Sequence, residues 1–417
     1  MALTLGSEFV FASSSSEVPV VRALSDDKFV VAWRDAADAD KGKMCVGTKS
    51  GTNIAYGPVL TFTTGVLNTA PHYDYARQTH DVAVLDDGKV LVTYVLNTLY
   101  SYGVVCTVTG DTLSLGTPQI YTGLGNKTKS VCCAAFTDTT ALWVVDYENT
   151  WNGQHIRCRV VTVTGTTISL GAENAVNVGY NDNMREVAID EDRAIITYGR
   201  QRVVATKYVR ATVYTRSGTT LTRGGDKTIY SLSAGPWEPR ENELTVLSSD
   251  TVAKLAMAYN FSDDLRVAYI STSGTSRVID VNDEVLLTSN SIYLGALVTK
   301  DEDEFDILYT DLGDSDYGKV VHGTITPTGT LSFDSDETFH AGAMADNHAC
   351  AIGYPISVVA YRDTGNSNYG TARIVQLEEI IPVETPSSAS GHLVMSPGGH
   401  QAFASSFYPS NWRYRNG

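Results

Sequence analysis

The chain has 417 residues, 43% hydrophobic and 19% charged, enough apolar content for a sizeable core and too little charge for a disordered polymer. Acidic side chains number 47 against 31 basic ones, and the net charge of -16 repels phosphate backbones and anionic lipid, so neither nucleic acid nor membrane is an expected partner. No apolar run reaches membrane-spanning length and no basic-then-apolar leader comes after Met1, so a soluble chain without a secretory signal is expected.

In chain order, the first element is a short apolar stretch, Leu3-Thr4-Leu5-Gly6, standing alone. An apolar strand ending in an aromatic or acidic residue then recurs seven times, at intervals of about 50 to 60 residues. The copies are Phe29 to Asp35, Val90 to Tyr94, Ala141 to Asp146, Ala194 to Tyr198, Leu255 to Tyr259, Phe305 to Asp311 and Ser357 to Asp363. Upstream of these copies lie short apolar stretches such as VPVVRAL, DVAVLDDG and SVCCAAF, separated by polar turns, which predicts a hairpin. Downstream comes an alternating strand and a turn: Ser50-Gly51, Thr109-Gly110, Thr164-Gly165, Ser217-Gly218, Ser273-Gly274 or Thr328-Gly329. Glycine there accepts the positive φ of a tight hairpin. A fourth strand carries its own signature, IAYG at Ile54 to Gly57, LSLG at Leu113 to Gly116, ISLG at Ile168 to Gly171 and LTRG at Leu221 to Gly224, with LSFD at Leu331 to Asp334 a weaker copy.

The seventh repeat runs through Gly370 to Glu379 and lacks that fourth strand, whereas Leu3 to Gly6 matches the signature without three strands before it. Residues 3 to 11 are therefore expected to complete the last unit. The predicted fold is all-β: a seven-bladed β-propeller of four-stranded antiparallel blades, its ring closed by the N-terminal strand, plus a C-terminal tail. Residues 1–380 form the propeller and 381–417 a linker and docking tail, whose Phe403, Phe407, Tyr408, Trp412, Arg413, Tyr414 and Arg415 suit an interface.

Six cysteines are too few for a disulfide scaffold. Cys45, Cys106 and Cys158 fall at similar points of three similar segments, where a small buried apolar side chain is expected. The sequons at Asn126 and Asn260 carry no weight without a secretory signal.

Motifs for a zinc protease, a Walker loop, a serine nucleophile elbow or a CxxC pair are missing, so no catalytic residue and no cofactor are assigned. The most specific polar pattern comes after the second strand: Asp35, Asp38, Asp40 and Gly42; Asp311, Asp314, Asp316 and Gly318; Asp363, Asn366, Asn368 and Gly370. Repeat three keeps Asp146, Asn149 and Gly153, with Trp151 in the third polar place. Such oxygens could gather a calcium ion, but the preferred expectation is that they bond their own turns while glycine takes positive φ, so no metal is assigned. In a propeller these turns share a face with the inter-blade loops. That face gains His72, Tyr73, Tyr75 and Arg77 from one loop and Trp237 and Arg240 from another, a composition suited to sugar rings or to a protein interface.

The text VVAYRDTGNSNYGTARI and the TGDTLSLGTPQIY type of fourth strand resemble propeller repeats of virion surface proteins of tailed bacteriophages. The resemblance implies a non-enzymatic structural or adhesive virion component, of head-decoration, fibre or tail-associated type, assembled in host cytoplasm. It implies other virion proteins as partners through the tail, with a host surface glycan and further copies of the chain as additional candidates. A free carbohydrate-binding lectin is the alternative. A glycoside hydrolase stands third, because the sialidase Asp-box is missing.

Overall fold

The computed structural model describes residues 2–63, 65–68, 79–121, 128–149, 153–177, 180–201, 206–233, 239–249, 252–261, 264–273 and 278–378. The predicted docking tail lies outside them. Every long element is a strand, as the β-branched alternation dictates, and the one helical piece among the described residues is the 3-10 turn Ala36–Asp38.

Among the described residues the strands form six antiparallel sheets. Repeat three is representative: Thr128–Thr137, Thr140–Asn149 and Gly153–Thr164 pair in sequence order. An eight-stranded sheet joins repeats one and seven through a single strand, Ala2–Ala23. Its first part pairs with Tyr369–Glu378 of repeat seven, Leu3 opposite Leu377 and Glu8 opposite Arg373, and its second part pairs with Lys28–Asp35, Val20 opposite Ala32. The two separate segments expected at residues 3–11 and 18–24 are thus one strand, bent by bulges and by a left-handed residue at Val18.

Period two decides where the core sits, because alternate side chains of each strand enter different layers. Val30 and Ala32 pack against Val90 and Val92 of repeat two, while Val31 and Trp33 pack against Val358 and Ala360 of repeat seven. Further apolar layers lie between repeats two and three, three and four, four and five, five and six, and six and seven.

The fourth strand departs from expectation. In repeats one, two, three, four and six it is two short pieces, such as Thr167–Leu170 and Asn174–Asn177, both paired to the third strand. The signature glycine makes the step between them. Gly57, Gly116, Gly171 and Gly224 donate to the carbonyls of Val46, Val105, Val160 and Val213 at 2.8 to 2.9 Å. A Cβ on Gly57 would sit 1.9 Å from the Asp111 carbonyl oxygen, and one on Gly171 2.3 Å from that of Thr219, both in the hairpin turn of the next repeat. Gly6 is placed alike, its Cβ falling 2.6 Å from the Thr52 carbonyl oxygen. The glycine of LTLG therefore meets repeat one as the other signature glycines meet their successors. Repeat five, without the signature, keeps an unbroken outer strand, Ile279–Thr288.

All six cysteines are thiols, five of them buried. Their equivalence needs correction. Counted from the carbonyls that receive the signature glycines, Cys45 lies one residue before Val46, Cys106 one after Val105 and Cys158 two before Val160, so Cys45 and Cys106 face the preceding repeat and Cys158 the following one. What they share is burial, which pushes each of these thiols up to about 12.

Candidate functional site

The aspartate turns are built from their own backbone. Asp35 Oδ1 accepts from the amides of Ala37 and Asp38 at 3.1 and 3.3 Å, Asp311 Oδ1 from Gly313 at 2.9 Å, and Asp363 Oδ1 from Asn366 at 3.0 Å. The expected role of glycine is corrected: positive φ falls on Ala39 and Asp40, Ser315 and Asp316, and Ser367 and Asn368. Gly42, Gly318 and Gly370 are instead flattened under the rings of Phe62, Phe339 and Phe11, where a Cβ would lie 2.3 to 2.6 Å from ring carbons. Lysine supplies the counter-charge, Lys43 Nζ reaching Asp35 at 2.7 Å and Asp38 at 2.9 Å, and Lys319 Nζ reaching Asp314 at 2.7 Å. Lys43 and then Lys41 hold the Asp38 carboxyl below its ordinary value. Among the described residues no group of three or more His, Cys, Asp or Glu side chains is arranged to hold a metal ion. His72, Tyr73, Tyr75, Arg77, Trp151 and Trp237 lie outside the described residues, and Arg240 is placed in the strand Pro239–Ser248.

A polar cluster that sequence reading missed lies where the first strands of successive repeats pack on one another. Val20, Asp81, Cys132, Arg185, Glu243, Ala296 and His348 occupy one register, opposite Ala32, Thr93, Val144, Thr197, Ala258, Leu308 and Ala360. Two positions after Val20, Arg22 reaches Asp81 at 3.1 Å and His348 Nε2 at 2.8 Å, tying repeats one, two and seven. The other Asp81 oxygen accepts from the Cys133 amide at 2.9 Å, and Arg185 Nε meets Glu243 at 2.5 Å. Burial, with Arg22 and Arg185 adding to it, holds His348 well below its ordinary value, and burial takes His80 down to about 4. Burial and then Asp81 push the Glu186 carboxyl up. Arg22 with Asp81 and Arg185 with Glu243 thus neutralise one another within the cluster.

A second recurrent constellation sits between sheets and is partly open to solvent. The third-strand residues Lys43, Arg157, Arg210, Arg266 and Lys319 share one register, opposite Trp33, Val145, Tyr198, Tyr259 and Tyr309. An acid recurs on the outer strand, one residue before the partner of Cys158, Ala211, Val267 or Val320: Glu173, Asp226, Glu284 and Asp336. Glu8 takes this place on the N-terminal strand, one residue before Phe9, the partner of Ala372. In repeat five, Arg266 Nη1 holds Glu284 at 2.9 Å, and its guanidinium lies 4.7 Å from the ring centre of Tyr230 in repeat four. In repeat three, Arg157 and Arg159 share Glu173, with Arg159 5.1 Å from the ring of Tyr121 in repeat two. In repeat four, Arg210 and Arg223 share Asp226, with Arg210 4.8 Å from the ring of Tyr208. At the end of the series, Glu8 accepts from Arg373 at 3.2 Å and contacts His340 Nδ1 at 2.8 Å, and the Tyr361 hydroxyl lies 3.2 Å from the same nitrogen. Although burial acts to raise it, His340, Tyr361 and Arg373 hold the Glu8 carboxyl below its ordinary value. Repeats one and two have Val59 and Pro118 in the acid's place. The signal was present in the sequence as acids two residues after Gly6, Gly171 and Gly224, but strand register is needed to join Glu173 to a cation 16 residues away.

No family model and no curated protein matches the chain. Solved structures similar to it include a protein of unknown function from Dyadobacter fermentans, 12% identical over 90% of this chain and 99% of that one, with a TM-score of 0.47. A six-bladed fucose-recognising lectin from the fungus Aleuria aurantia is 11% identical over 80% of this chain and 98% of that one, with a TM-score of 0.44. A leech intramolecular trans-sialidase is 9% identical over 90% of this chain and 70% of that one, also at 0.44. Likeness at this level transfers no ligand or activity.

Proposed function

We propose that the chain is a non-enzymatic carbohydrate-binding propeller, its seven four-stranded blades closed into a ring through the N-terminal strand. The ring is supported by the pairing of Ala2–Ala23 with repeats one and seven, by the apolar layer between those repeats, and by Gly6 standing where other signature glycines stand. The binding reading is carried by one observation: the partly exposed cation and carboxylate pair, repeated in register at successive sheets with aromatic rings beside it at most of them.

A sugar ring offers a C–H face for an aromatic and hydroxyls that both donate and accept. A carboxylate beside a guanidinium takes adjacent hydroxyls through charge-assisted bonds, and fixed planar geometry favours selection between isomers. Arg266 and Glu284 remain 22% and 24% exposed, so a ligand can reach them. Several such sites on one rigid body would give avidity toward a glycan-bearing surface. Virion display belongs to this proposal through the repeat resemblance alone, and mass spectrometry of purified particles tests it.

Calorimetry with glycans selected on an array tests the binding itself. Glu284→Ala removes a charge-assisted bond of about 1.5 to 3 kcal/mol, so affinity at that site should fall roughly 10- to 100-fold. Extending the change to Glu173 and Asp226 leaves only the acids Asp336 and Glu8, so the avidity of array binding should fall further. Unaltered binding by the triple variant would show that these pairs are ordinary ion pairs.

A further inference from the structure

The junction ahead of repeat seven differs from the others in where its carboxylate comes from. Arg266 and Glu284 are 18 residues apart and Arg157 and Glu173 are 16 apart, so these pairs come with their own sheet. Glu8 and Arg373 are separated by 365 residues. We propose, resting on the sugar-site reading above, that the partly exposed Glu8 and Arg373 pair is a conditional neutral-sugar site, assembled only when the N-terminal strand is docked, so that a bound sugar fastens that strand to repeat seven.

Three contacts make the site conditional. Glu8 meets Arg373 on the strand Tyr369–Glu378 and His340 at the end of Glu337–His340, so one carboxylate joins three segments of chain. Arg373 also donates from Nε and Nη2 to the Gly6 carbonyl at 3.2 and 2.8 Å, which holds the guanidinium beside the carboxylate. With the strand undocked, Arg373 and His340 keep the basic half of the site and lose its acid. Tyr361, fully buried and packed 4.8 Å from the His340 ring, fixes that imidazole against Glu8 from behind. Glu8 is 39% exposed and Arg373 14%, leaving the pair reachable from solvent.

Linkage then fixes the consequence. A ligand that binds only the docked form suppresses undocking by the factor 1 + [L]/Kd, about 100-fold at a hundred times Kd. The effect is confined to the N-terminal strand and its partners, because other junctions carry their acid locally.

Hydrogen exchange read by mass spectrometry on the full chain tests this. The probe is the methyl glycoside of a neutral hexose giving the largest calorimetric heat with the wild type. At a hundred times Kd, exchange of the segment 2–12 should slow by about 100-fold. Glu8→Gln should weaken one site roughly 10- to 100-fold and cut the slowing to about 2- to 11-fold, whereas Glu284→Gln should weaken one site and keep the full slowing. Binding of the glycoside without any change in segment 2–12, or undiminished slowing in Glu8→Gln, would overturn the coupling and leave the sugar reading intact. Absence of heat with every glycoside would overturn both.

Discussion

His80 shows how burial writes a pH dependence into this protein. Its ring is fully enclosed beside Thr79 and Phe62, and burial takes it from 6.5 down to about 4. The unfolded chain therefore binds a proton near pH 6 that the folded chain refuses, so stability rises with pH. The contribution is complete above about 6.5 and is lost as pH falls through 4, a span worth about 3 kcal/mol. His348 acts with the same sign, whereas Glu186 and Glu243, pushed up by burial, oppose it. Urea unfolding from pH 7 to pH 4 should show a shallower loss of stability in His80→Gln than in the wild type. Equal slopes would mean that the imidazole is solvated in the folded chain.

At the scale of elements, the step in the fourth strand separates the halves of one sheet edge and seats the next sheet's turn. Gly57→Ala puts a methyl group 1.9 Å from a backbone oxygen, which neither sheet can vacate without shifting, at a cost of about 1 to 3 kcal/mol. Gly225→Ala meets nothing within 4 Å and should stay within about 0.5 kcal/mol of wild type. Urea midpoints of the two variants check the contrast, and equal midpoints would remove the glycine from any seating role. Apolar alternation and Ser/Thr-Gly turns made the strands and hairpins legible in the sequence, and Gly51, Gly110, Gly165, Gly218 and Gly329 do take positive φ. The second piece of the fourth strand was not legible, because two to seven residues after a glycine carry too little periodicity to read. The junction pairs stayed hidden for a related reason. Arg266 and Glu284 become neighbours only through a register that bulges on Ile279–Thr288 adjust. Nor does any local pattern mark Arg22, Asp81 and His348, which meet from three separate strands.

Over the whole molecule, the repeats are joined in two ways. Toward the inner strands, Arg22 joins repeats one, two and seven, and its removal leaves Asp81, 1% exposed, without its cation. Arg22→Met should cost about 3 kcal/mol, as loss of one partner from a buried pair does, while Arg266→Met at the more open rim should cost about 1 kcal/mol or less. Denaturation of both variants, with a double-mutant cycle through Asp81→Asn, measures the difference; equal costs would mean that the inner network contributes no more than the rim. Toward the outside, one strand belongs to two repeats, and its first residues pair with the last described ones, Ala2 opposite Glu378. Those two residues are adjacent across a single strand pair, so a short linker could splice 378 to 2. A circular permutant reopened at Asp111, in an exposed hairpin tip, would then carry what are now remote segments as one uninterrupted repeat. Sequence order would then run unbroken through repeat seven, and the divided unit would become repeat two, cut between Ser101–Thr109 and Thr112–Leu115.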